Sequence, residues 1–168
     1  VKAVRSLPAM RRGAAHRQRG IAAIEFALVF MTIFFIIYGL ATFGAVLYTQ
    51  QVVSRAVEDG ARAVPRLLSP PVAADDARIK AAVYDSLSAA LVVPAANSGS
   101  WSSKRSWIAA NTTVAVTLSS AGGAGTTAVV TLTYAYSANR LLPTLPVLDT
   151  SRWMPDTLRS QAAIAISS

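Results

Sequence analysis

The chain has 168 residues, 53% of them hydrophobic and only 14% charged, a balance that suits one membrane-anchored domain rather than several soluble ones. Its formal net charge is +8, from 16 Lys and Arg against 8 Asp and Glu; but Lys2, Arg5, Arg11, Arg12, Arg17 and Arg19 all precede Gly20 with no acid among them, so the remainder holds too little excess charge for a nucleic-acid footprint. Cysteine is absent and His16 is the only histidine, which excludes disulfides and thiolate chemistry and leaves the chain beyond Gly20 without the commonest catalytic bases and metal ligands.

Residues 1–20 form a basic segment without apolar periodicity, and such a segment is expected to be mobile. It opens on Val1, and Met10 offers a second start that would give the compact run MRRGAAHRQRG. A charge-free apolar run then extends from Phe26 to Ser54, longer than the roughly 20 residues a helix needs to cross the hydrocarbon layer. The sequence predicts a helix from near Ile21 that spans the membrane over 21–48 and continues over 49–64. Basic flanks stay in the cytoplasm, so the N-terminus is predicted inside and the C-terminal part outside. Glu25 does not fit a plain anchor. A carboxylate costs about 2.5–3.5 kcal/mol at the centre of a spanning helix and less near its end; Glu25 either faces the headgroups or has a partner. Gly39 and Gly44, with the pair Ala41 and Ala45, are thin places where another helix can approach closely. Small residues are also common in membrane helices, so both readings stand.

After Tyr48 the pattern becomes amphipathic. Val52, Val53, Ala56, Val57, Gly60, Ala61 and Val64 recur at helical spacing, with Gln51, Arg55, Glu58, Asp59 and Arg62 on the opposite face. Glu58 and Arg62 stand one turn apart in the favourable order. The apolar stripe either packs on the domain's sheet with an exposed part touching other subunits, or is core only. Pro65 should end the helix at Val64. Ser69–Pro70–Pro71 reads as a stiff linker. Asp75 or Asp76 then caps a second helix that runs to about Val92, buries Ile79, Val83, Leu87 and Leu91, and is closed by Pro94. Ala95 to Ser106 reads as an exposed loop. Within and just beyond it, Trp101 and Trp107 flank Lys104–Arg105, either as a contact patch or as covers for the core.

The remainder reads as strands. Val114, Val116 and Leu118 alternate with Thr113, Ala115 and Thr117, and Val130, Leu132, Tyr134 and Tyr136 alternate with Thr131, Thr133 and Ala135. The intervening SSAGGAGT is a hairpin loop that opens no helix and so has no phosphate-loop character. Pro143 and Pro146 break the run after Leu142. Ala162, Ile164 and Ile166 alternate outward from Ala163 and Ala165 in a closing antiparallel strand. Residues 65–168 are thus expected to form a small α+β domain, a second helix and an antiparallel sheet following the long N-terminal helix. The acids beyond the membrane, Glu58, Asp59, Asp75, Asp76, Asp85, Asp149 and Asp156, are scattered and form no paired constellation. No catalytic site, metal site or cofactor is expected.

At RQRG followed by IAAIEF the chain resembles a type IV prepilin signal, with Gly20 directly after Arg19 and Glu25 five residues beyond the glycine. The resemblance implies that a prepilin peptidase cuts between Gly20 and Ile21 on the cytoplasmic side. It also implies that Glu25, next to Phe26, neutralises the new amine of a neighbouring subunit. Glycine at the cut suits a tight cleft, and the apolar helix stays on the mature protein, unlike that of a secretory signal. The continuation is similar to the TadE-like family, minor pseudopilins of tight-adherence (Tad) pilus systems, through Phe43–Gly44, Tyr48, Gln51 and Asp59–Gly60–Ala61–Arg62–Ala63. Glu25–Phe26, where the major Tad pilins carry Glu–Tyr, favours a pseudopilin over the main fibre subunit. The partners so implied are the prepilin peptidase, other Tad pilins and pseudopilins, an inner-membrane assembly platform and the lipid bilayer; the processes are pilus biogenesis, adhesion and biofilm formation. The rivals are an uncleaved signal-anchored protein with a periplasmic binding or scaffold domain, and an exported hydrolase with a carboxylate site.

Overall fold

Helix α1 (Ala15–Ala63) is one uninterrupted α-helix of 49 residues. It starts six residues before Ile21, so the helical conformation runs through Gly20 rather than beginning after it. The computed structural model describes residues 15–67, 71–120, 126–143 and 153–166. Most of the basic segment, Pro70 of the linker, the centre of the SSAGGAGT loop, Pro146 and Asp149 therefore lie outside the described residues. Two compact units divide at Ala41 and Thr42.

In the first unit, the described part of α1 is exposed almost throughout, with large apolar side chains from Ile21 to Leu40 facing outward. From Gly20 onward the helix is long and apolar enough to cross a membrane, which is compatible with a single-pass anchor. The Thr32 hydroxyl donates to the Leu28 carbonyl oxygen at 2.9 Å. That bond satisfies the only polar group of the side chain inside the helix, as an apolar solvent requires.

The second unit is α+β. The C-terminal part of α1 ends at Ala63, and Pro65 opens a 3₁₀ turn, Val64–Arg66, where a missing N–H leaves no helical bond unmade. Helix α2 (Ala77–Ala90) follows, then a 3₁₀ turn, Ala95–Asn97, and helix α3 (Trp101–Asn111). Strands β1 (Thr112–Ser120), β2 (Thr126–Tyr134) and β3 (Leu158–Ile166) form a sheet in the order β1-β2-β3. Both pairings are antiparallel, with Thr112 opposite Tyr134 and Tyr134 opposite Leu158. The stripe Val52, Val53, Ala56, Val57, Ala61 and Val64 shares one core with Ile79, Val83, Leu87 and Leu91, and with Val116, Val130 and Leu132 of the sheet. Period-3.6 and period-2 apolar patterns thus meet in one layer of helices on one face of a sheet.

The segment Ala95–Ser106 is not a loop. Ser100 is the N-cap of α3, its hydroxyl oxygen accepting the Ser103 N–H at 3.1 Å. The serines that read as turn formers act here as a helix start. Trp107 is partly buried against the core, whereas Trp101 stays 53% exposed, so one tryptophan covers the core and the other does not. Arg105 lies across to Asp85 of α2 at 2.7 Å. Helix α2 stops at Ala90, before Val92, although Leu91 remains buried. Strand β2 stops at Tyr134, and Tyr136 is buried from the turn that follows.

Of the two aspartates before α2, Asp76 is the N-cap: its carboxylate accepts the Arg78 N–H at 2.9 Å and binds the Arg78 guanidinium at 2.8 Å. Those Arg78 bonds hold the Asp76 carboxyl down from 3.8 to about 2. Because the folded value is depressed, the stabilisation is complete above 3.8 and is lost as pH falls through about 2. Asp76→Ala is expected to lower unfolding free energy by about 1 kcal/mol. Asp76→Asn should flatten the loss of melting temperature over that acid range, as read by thermal scans of the full chain in detergent.

Candidate assembly surface on the first helix

Gly20 is exposed, and a Cβ built on it would meet nothing within 4 Å. Nothing among the described residues requires glycine there. Ile21 is 60% exposed, and Glu25 and Phe26 are exposed as well. Of the cleavage and amine-pairing residues inferred from the sequence, Gly20, Ile21, Glu25 and Phe26 are thus exposed and none of these four is used as core; the Arg19 side chain lies outside the described residues. Phe26, Phe30, Phe34 and Tyr38 form a ladder at one-turn spacing, with successive ring centroids 6.0, 6.4 and 6.1 Å apart. Stacking at this range suits aromatic pairs. The four-residue spacing of the ladder is present in the sequence, although it was not singled out there.

The thin places divide. Gly39 and Gly44 are exposed with open space where a Cβ would stand, and Ala41 is exposed as well. Ala45 is half-buried, and its carbonyl oxygen accepts the Thr49 hydroxyl at 2.8 Å.

The residues grouped from Tyr48 to Arg62 fall into two kinds. The Tyr48 hydroxyl donates to the Ala90 carbonyl oxygen at 2.7 Å, reaching the last residue of α2. That carbonyl is one of the unsatisfied acceptors at a helix C-terminus. Gly60 and Ala61 are buried. A Cβ on Gly60 would collide with Val83 Cγ2 and stand 3.5 Å from Val130 Cγ1. Here α1 meets α2 and β2 so closely that only a hydrogen fits. Tyr48, Gly60 and Ala61 thus serve the chain's own packing. Gln51 and Arg62 do not: both are exposed, and Arg62 pairs loosely with Glu58 at 3.6 Å and Asp59 at 3.9 Å. Asp59 also accepts the Ser86 hydroxyl at 2.7 Å, a tie between α1 and α2 across 27 residues that no local pattern signals.

Gly60→Ala is expected to destabilise the folded unit by about 1–3 kcal/mol through overpacking. In a Val83→Ala background the same change should cost less, with a coupling on the order of 1 kcal/mol. Denaturant titration of the four proteins of this cycle measures it.

Gln50, Gln51, Ser54, Arg55, Glu58, Asp59 and Arg62 line a shallow polar groove along α1. Among the described residues no cluster of His, Cys, Asp and Glu gathers in a way that would hold a metal ion. The surface offers exposed apolar helix, one carboxylate near its start and a charged continuation. Its chemistry is that of packing and charge pairing between helices.

Residues 20–62 match the family model described as TadE-like protein, which associates the chain with Tad pilus systems. No curated protein and no solved structure matches it.

Proposed function

From the TadE-like character of residues 20–62, we propose that this protein is a minor pseudopilin of a Tad-type pilus system. It enters the inner membrane with its basic N-terminus in the cytoplasm and its α+β domain in the periplasm. Prepilin peptidase cuts between Gly20 and Ile21. The new Ile21 amine meets the Glu25 carboxylate of a neighbouring pilin or pseudopilin, and the assembly platform takes the subunit into or beneath the fibre. In this role it supports pilus biogenesis, and through the pilus adhesion and biofilm formation.

The observation that carries the proposal is the coincidence of two boundaries. The family match begins at Gly20, the residue that the Arg19–Gly20–Ile21 pattern marks as the end of the leader. Further support comes from packing: among the described residues nothing requires glycine at Gly20, and Glu25 lies exposed at the start of the apolar helix. An unpaired carboxylate there is costly in lipid. A cationic amine nearby offsets part of that cost when the two are held together.

In a strain that builds Tad pili with this subunit, deleting its gene is expected to remove surface fibres, and restoring the full chain to return them. Unchanged fibre number after deletion would contradict the proposal. The fibres are counted by electron microscopy.

A further inference from the structure

On the side of α1 away from the core stripe, Gly44, Leu47, Gln51, Arg55, Glu58 and Arg62 are all exposed. Their spacings average to the helical turn, so they lie on one straight line about 27 Å long. The line begins small and apolar, passes through an amide, and ends basic, acidic, basic. Arg62 shares Glu58 and Asp59 along its own helix, with the Arg62 side chain 70% exposed. Arg55 makes no ion pair among the described residues.

We propose that this line is a contact surface for the same line on a second copy of the chain, parallel to the first and displaced along it by three to four residues, about 5 Å. The order of charges sets the displacement. In register, Arg55 faces Arg55, Glu58 faces Glu58 and Arg62 faces Arg62, and each of these three charged contacts is repulsive. Displaced by three to four residues, Arg55 faces Glu58 and Glu58 faces Arg62. Like-charge juxtaposition rejects the first arrangement and complementary charge selects the second. Gly44 lets the backbones draw close where the line is apolar. Exposed ion pairs contribute little by themselves; they fix the register of helices that tethering in one membrane has already brought together. The parallel direction rests on the membrane-anchored reading above, in which every copy enters by the same end; peptidase cleavage plays no part in it.

The chain has no cysteine, so introduced cysteines report contacts without background. The full chain is expressed as two differently tagged copies, and isolated membranes are mildly oxidised. A Leu47→Cys copy with a Gln51→Cys copy is expected to form mixed disulfide dimers roughly fivefold or more above Gln51→Cys with itself, because a disulfide tolerates little excess separation. Arg55→Glu in both copies should reduce the mixed dimer to the level of the Gln51→Cys pair. The combined Arg55→Glu, Glu58→Arg and Arg62→Glu variant should restore it. Equal linking of Gln51→Cys with itself, linking only to a different protein, no dimer from any pair, or indifference to the charge changes would each overturn the proposal. Failure of the pilus reading shows elsewhere, in fibre counts after deletion, which do not enter this assay.

Discussion

Replacing Gly20 with leucine is expected to leave the protein folded and inserted but uncut. The structure makes this a clean experiment. A Cβ built at Gly20 meets nothing within 4 Å among the described residues, so the fold leaves open space where the new side chain begins. What changes is the fit of the backbone in a protease cleft. A misplacement of about 1 Å at a reacting bond can cost on the order of 10²-fold in rate, and a Cβ next to the scissile carbonyl imposes a shift of that order. Gly20→Ala should slow processing measurably and Gly20→Leu should abolish it. The readout is electrophoretic mobility with the peptidase co-expressed. Mature-sized protein from Gly20→Leu in wild-type amount would contradict the assignment.

Glu25→Ala is expected to do the opposite: cleavage stays within about twofold of wild type while fibre assembly is lost. Glu25 is exposed one turn beyond Ile21, so its removal leaves the cut site intact. In an assembled bundle it would leave the Ile21 amine of a neighbour buried without a counter-charge. Removing one partner of a buried pair costs about 3–5 kcal/mol, roughly two orders of magnitude or more in an association constant. Glu25→Gln should behave in the same way, because an amide keeps the size but not the charge. Mature protein present in membranes, with fibres absent by microscopy, is the expected pair of results. Normal fibres from Glu25→Ala would remove the pairing role.

Much of the fold follows from local pattern. The stripe from Val52 to Val64 and the face Ile79, Val83, Leu87 and Leu91 are both buried in the core, because a 3.6-residue period leaves a helix one way to hide its apolar side. Strand β2 alternates as its sequence does; in β1 Val114 and Val116 are buried but Leu118 is exposed, and in β3 Ala162, Ile164 and Ile166, expected to point outward, pack against the core. Helix α3 was opaque for a physical reason. It buries only Ile108 fully, with Trp107 partly covered, so its helicity comes from the Ser100 cap and from contacts with α2 and the sheet rather than from periodicity. The two aspartates could not be told apart by composition. Asp75 takes a left-handed conformation, φ 56, that aspartate tolerates better than most residues. Its N–H donates to the Val116 carbonyl oxygen at 2.8 Å and its carboxylate accepts the Val116 N–H at 3.2 Å. Only the distant strand separates that role from the capping role of Asp76. On the candidate assembly surface, the linear spacing of Arg19, Gly20, Ile21 and Glu25 was legible without a fold. That Tyr48, Gly60 and Ala61 serve internal packing while Gln51 and Arg62 face outward required the fold, since all five lie on one helix within four turns.

The most direct test is the identity of the first residue of the protein isolated from its native envelope, read by intact-mass and N-terminal peptide mass spectrometry. A chain beginning at Ile21 is the expected result. A chain that retains Arg17 and Arg19 ahead of Gly20 would contradict processing, and with it the pairing of a new amine with Glu25.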